Sequence, residues 1–155
     1  MNAFRLSCVA GAALLLVACG GSDDPVRGSL IDTPVVVTTL SAAQINAGTA
    51  ASGRQAISGT AKCDVKVVAL NYNTVGVKGD DSTNASGVML VPTGAACATP
   101  AALVAYAKGT DLQKPRTLAN PQDGETFLLA AMYAAQGYAV VATDFRGDAR
   151  TSIFD

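Results

Sequence analysis

Hydrophobic and polar positions alternate in several distinct ways along this chain, and each way predicts an element. Leu6 to Val17 is a largely apolar stretch that follows a short start with one positive charge, Arg5. It is about a dozen residues, short of the ~20 that a comfortable membrane span needs. Residues 20–40 then turn polar, with Pro25 and Pro34 as breakers, and read as a tether. Within them Val35 to Leu40 is compatible with a short strand. Ser41-Ala42-Ala43-Gln44-Ile45 predicts a short helix with Ser41 as N-cap and Gly48 as its stop.

From Cys63 onward the pattern is that of strands. Val65 to Val75 is rich in Val, Leu and Tyr, and Ala85 to Val91 follows, ended by Pro92. Gly79-Asp80-Asp81 and Asn84 supply the turn between them, so the pair predicts an antiparallel hairpin. Ala102 to Ala107 is a third, wholly apolar strand. Lys108 to Gln122 is an irregular loop with Gly109, Pro115 and Pro121. Asp123 is a good N-cap, Glu125 to Gln136 is helical in composition, and Gly137 is a stop. The helix is apolar nearly all round (Phe127, Leu128, Leu129, Met132, Tyr133), which predicts burial on most sides. Tyr138 to Phe145 is the next strand. Strand, helix and strand form a βαβ unit, so strands 102–107 and 138–145 are expected to run parallel.

The apolar start gains meaning from its end, Leu16-Val17-Ala18-Cys19. A charged start, an apolar region of this length and small residues before a cysteine make a lipoprotein signal peptide over residues 1–18. Residues 19–40 are then the lipidated N-terminus and flexible tether. Lipidation of Cys19 attaches acyl chains that hold a protein at a membrane where a single chain would not. The expected place is the cell envelope. Gly20 after the cysteine resembles outer-membrane sorting, facing the periplasm or the cell surface. The remaining 137 residues suit one domain.

Half of the chain is hydrophobic and 15% is charged, which excludes general disorder. Without Arg5 the charge moves from −1 to −2, and no basic patch exists, so nucleic acid is not an expected partner. Trp is absent, which argues against a carbohydrate-stacking surface. Cys8 leaves with the signal and Cys19 takes lipid, leaving Cys63 and Cys97 as an even pair in an oxidising compartment. A metal site or a reactive thiol is the alternative. No His accompanies the pair and no CxxC exists, so a disulfide is preferred.

The order of elements, and two local segments, carry a resemblance. Leu103-Val104-Ala105-Tyr106-Ala107-Lys108-Gly109-Thr110 resembles the strand and HGT segment of secreted α/β-hydrolases of the esterase, lipase and peptidase kind. Ala134-Ala135-Gln136-Gly137-Tyr138-Ala139-Val140-Val141-Ala142-Thr143-Asp144-Phe145 resembles the end of their helix and the strand after it. The region from Cys63 to Val91 resembles exported, lipid-anchored members. The resemblance spans residues 41–147 and implies an α/β fold, with 41–155 as the N-terminal portion of an α/β-hydrolase domain. It also implies hydrolysis of esters or peptides by a Ser, a His and an Asp, with a small-molecule ester or a peptide as substrate of the complete protein. The oxyanion is held there by backbone N–H groups, one of them from the loop after the third strand. That resemblance makes Gly109 and Thr110 the oxyanion-hole candidates.

The rest of that machinery is missing. No G-x-S-x-G occurs, and the chain contains no His. His is the residue whose unperturbed pKa suits the base role at neutral pH. A Ser-His-Asp site therefore cannot be made by this chain alone, and no catalytic residue is assigned. Lys108 stands where the family has His. Residues 146–155, Arg-Gly-Asp-Ala-Arg-Thr-Ser-Ile-Phe-Asp, do not continue as the family does, and Arg146-Gly147-Asp148 reads as an ordinary loop. One strong helix after the hairpin covers only one face of a sheet. The expectation is a fragment that ends before the nucleophile and is inactive alone. The alternative expectation is a non-catalytic envelope lipoprotein that binds a partner through an open sheet edge. A half-enzyme completed by a second chain is a third. Asp80-Asp81 and Asp123 with Glu125 are better read as turn and cap than as acid–base pairs. No phosphate loop, dinucleotide fingerprint or metal-ligand spacing occurs, so neither cofactor nor metal is expected.

Overall fold

The computed structural model describes residues 26–76, 82–98, 102–109 and 116–144. Its elements in chain order are β1 (Val35–Leu40), α1 (Ala42–Ala51), α2 (Gln55–Ser58), β2 (Asp64–Val75) and β3 (Ser82–Thr93). They are followed by β4 (Leu103–Ala107), α3 (Gly124–Met132) and β5 (Ala139–Thr143). The five strands form one sheet in the order β1-β2-β3-β5-β4. The architecture is the expected α/β one, with a hairpin leading into a βαβ unit.

β2 and β3 form the long antiparallel hairpin, in unbroken register from Asp64↔Thr93 to Val75↔Ser82. The period-two pattern drives it: Val65, Val67 and Ala69 are buried while Lys66 between them is exposed. β3 runs farther than the sequence suggests in both directions. Asn84, expected in the turn, pairs with Asn73 inside the ladder. Pro92 does not end the strand, because the β5 partner of β3 reaches only Leu90 and a missing N–H there breaks no bond to β5. Gly79, Asp80 and Asp81 lie outside the described residues. β4 and β5 pair in parallel from Leu103↔Ala139 to Ala107↔Thr143, as the βαβ reading requires.

The expected tether ends earlier than residue 40. β1 pairs antiparallel with β2, with a bulge between Val36 and Thr38. Ahead of it, the Gly28 N–H donates to the Asn73 carbonyl (2.7 Å) and the Ile31 N–H to that of Asn71 (2.9 Å). Pro34 breaks nothing, because it falls between these two stretches of pairing. The signal peptide and Cys19 lie outside the described residues.

Ser41 caps α1 through a capping box with Gln44, as its sequence suggests. Gly48 is not the stop. It lies inside α1, where a Cβ would sit 2.6 Å from Cζ of Phe127, so it is the notch that receives that ring from α3. The short α2, bracketed by Gly53 and Gly59, is absent from the sequence reading. α3 ends at Met132 and tightens into a 3₁₀ turn, Ala134–Gln136, and Gly137 terminates it in a left-handed conformation (φ 102°). It is less enclosed than expected. Leu129, Ala130 and Ala131 are buried, but Met132 and Tyr133 reach solvent.

The core lies on one face of the sheet. Val65, Val67, Val88, Leu90 and Val140 point into it and meet Ile45 of α1, Leu129 and Ala130 of α3, and Leu118. Cys63 and Cys97 form the expected disulfide, with Cα atoms 5.8 Å apart. It closes a loop of 34 residues that contains the whole hairpin, which contributes about 4 kcal/mol in the chain-entropy model.

Candidate functional site

β2, β4 and β5 all run in one direction, since β3 is antiparallel to both β2 and β5. In open α/β sheets the reactive end is the one at the carboxyl ends of the parallel strands. Here that end carries Lys108-Gly109 after β4 and Asp144 after β5. Lys108 and Asp144 come directly after the last paired residues, Ala107↔Thr143, and both are buried. Gly109 is exposed, and a Cβ added to it would meet nothing within 4 Å. Its backbone thus borders open space, as a group that approaches a substrate must. Thr110, the second oxyanion candidate, lies outside the described residues.

The described chain resumes at Arg116, and two polar clusters hold it there. The first centres on Asp144. Its Oδ1 accepts the Leu118 N–H (2.8 Å), and its Oδ2 accepts the hydroxyls of Thr117 (2.7 Å) and Ser86 (2.8 Å). One buried carboxylate thereby ties β3, β5 and the stretch after Arg116 together. Three donors are what a carboxylate at 1% exposure needs to offset its desolvation. The second cluster centres on Arg116. Its guanidinium donates to both carboxylate oxygens of Asp123 (2.6 and 3.0 Å) and to Glu125 (2.7 Å). Glu125 in turn accepts the Tyr106 hydroxyl of β4 (2.5 Å). Asp123 also caps α3, accepting the N–H groups of Glu125 and Thr126. The Arg116 hydrogen bonds and those backbone donors hold its carboxyl below the usual range. The bond to Glu125, then burial, raises the Tyr106 hydroxyl.

These groups position; they do not make a nucleophile and its base. The Ser86 hydroxyl donates to Asp144, which also accepts the Thr117 hydroxyl and the Leu118 N–H and so serves to hold these segments together. Asp123 and Glu125 sit at a helix start and hold an arginine, in line with the cap reading. Among the described residues no group of three His, Cys, Asp or Glu side chains gathers as a metal site. Sequence reasoning assigned no role to Asp144, Thr117, Ser86, Arg116 or Tyr106. The one available signal was a carboxylate directly after the apolar strand Ala139–Thr143, where desolvation demands partners.

No family model matches the chain, and no curated protein matches it. Solved structures do. The rice cell wall degrading esterase LipA from Xanthomonas oryzae matches at 32% identity over 83% of this chain, with a TM-score of 0.68. A ligand-bound form of the same esterase matches at 31% identity over 81% of the chain, again with a TM-score of 0.68. A candidate hydrolase from Legionella pneumophila shares the fold at 18% identity and a TM-score of 0.66. This chain covers 31% of the esterase and 33% of the Legionella protein. It therefore has the esterase-like α/β fold in part, and spans about a third of the length of the structures it matches.

Proposed function

We propose that this chain is the N-terminal portion of a lipid-anchored serine hydrolase that cleaves esters or peptides, and that it is inactive alone. The observation that carries this reading is the esterase match over 83% of the chain, with Gly109 in open space at the end of β4. In the complete protein an elbow serine attacks the carbonyl and a histidine takes its proton. Both come from sequence that these 155 residues do not contain. The contribution of this chain is the loop at Gly109-Thr110. Its backbone N–H faces the charge that develops on the carbonyl oxygen, a kind of contact worth about 10²–10³ in rate. Asp144 and Arg116 hold the returning end of that loop. Lys108 in place of His leaves a backbone donor intact. Cys19 carries the anchor in this reading.

The test compares two proteins, the 155-residue chain and the longest polypeptide its gene encodes. Each is treated with a fluorophosphonate probe and assayed on short p-nitrophenyl esters. The longer product should label and turn over, and the short chain should do neither. A long product that takes no label, or saturable hydrolysis by the short chain itself, would sink the reading.

A further inference from the structure

The N-terminal segment does not leave the domain at random. Residues 28–31 run beside Asn71–Asn73, close to the end of β2 at Val75. The Tyr72 hydroxyl is hydrogen-bonded to that of Thr143, the residue before Asp144. The N-terminal segment therefore departs from the same end of the sheet that carries Gly109 and Asp144. Gly109 is three strands away from β2, about 15 Å at ordinary strand spacing. Six residues lie between Cys19 and Val26, seven chain steps with a reach of about 25 Å at most when fully extended.

Apolar side chains are exposed at both ends of the sheet, Ile57, Leu103 and Tyr138 at the far one, and what singles out the near end is that the N-terminal segment leaves from it. Val26 is 75% exposed, Leu30 52%, Ile31 45% and Val75 37%. Leu30 lies opposite Tyr72, Val75 ends β2, and Val26 is one turn from Ser29, whose N–H donates to its carbonyl (2.9 Å). Arg27 and Asp32 are exposed among them with opposite charges, so the patch attracts through its apolar area and not through net charge.

We propose that this end of the sheet rests on the lipid bilayer, with Val26, Leu30, Ile31 and Val75 in the interfacial layer and Gly109 on the side nearer the membrane. The proposal rests on the reading of Cys19 as lipidated. The short reach from the anchor selects a bilayer as the occupant of the patch. The opposite end of the molecule, with α2 and the start of β2, stands off by the length of β2, roughly 36 Å.

The chain has no Trp, so a single introduced Trp is a unique reporter. Val75→Trp and Ile57→Trp place it at the near and far ends, since Ile57 lies in α2 and is 74% exposed. The lipidated protein is purified from membranes and reconstituted into vesicles of zwitterionic phospholipid with brominated acyl chains. Val75→Trp should lose most of its emission and Ile57→Trp almost none, with little change when salt is raised. Adding Leu30→Asp and Ile31→Asp should restore the Val75→Trp emission while far-UV circular dichroism and the acyl mass stay unchanged. Equal quenching of both reporters on a chain that carries acyl mass overturns the orientation alone. So does a blue-shifted Val75→Trp emission without quenching, the mark of a protein partner on the patch. An N-terminal peptide without acyl mass overturns the anchor and the orientation with it.

Discussion

The two faces of the sheet are built from the same strands and have opposite fates. On β3, Leu90 is buried beneath the helices, and Met89 beside it faces the other way and keeps part of its surface in solvent. On β2, Val67 is fully buried and Val68 is not. α1, α3 and Leu118 cover one side, and among the described residues nothing comparable covers the other. Parallel strands ordinarily need cover on both faces. The covered face holds the described elements together, and under the proposed function the other is the face left for further helices to pack on.

Single substitutions can break or sharpen that contrast, read as urea midpoints of the chain. Leu90→Ala should cost the most, about 3 kcal/mol, because it leaves a cavity in the closed layer. Asp144→Ala should cost nearly as much, about 3 kcal/mol or somewhat less, by leaving the Leu118 N–H and two hydroxyls without their carboxylate. Asp144→Asn should recover part of it. Asp123→Ala should cost about 1 kcal/mol at neutral pH, the usual worth of such a cap. Its carboxyl is held below the ordinary value by Arg116, so its contribution is complete above pH ~4. It is lost as the pH falls through the lowered folded value, and the gap between wild type and Asp123→Asn should close on the acid side. Met89→Ala should cost least, about 1 kcal/mol, since part of that side chain already lies in water and no closed layer of helices covers it. If Met89→Ala and Leu90→Ala cost the same, the two faces are equally covered and the contrast is gone.

Much of this fold was legible because local signals agreed with global ones. The alternation in Val65–Ala69, the Asp123 cap and the Gly137 stop each have a short-range physical cause, the Cys63–Cys97 pairing followed from the cysteine count, and the structure contains each of them. The misreadings came where tertiary contact overrode local habit. Gly48 resembles a stop until Phe127 arrives to fill its notch. Asn84 resembles a turn until Asn73 pairs with it, and Pro92 a breaker until the sheet proves to have no partner for its missing N–H. Residues 28–40 resemble a tether because a strand at a sheet edge needs little hydrophobic signal of its own. The candidate site was half legible. The place of Gly109 just after a strand was legible, but the clusters around Asp144 and Arg116 join residues up to 58 positions apart, which no local pattern encodes.

The bulge in β1 has a consequence for assembly. A sheet can recruit further strands only at its rims, and these two rims differ. At the β1 rim the register slips between Val36 and Thr38, a kink of the kind that discourages a straight incoming strand. At the β4 rim a regular strand is available for growth. Molecules that met through β4 would present the same rim to each other and stop at two copies. Continuing into a fibril would require the β1 rim as well. The kink thus works as a chain terminator, letting the sheet be extended from one side while denying it the second growing end that polymerisation needs.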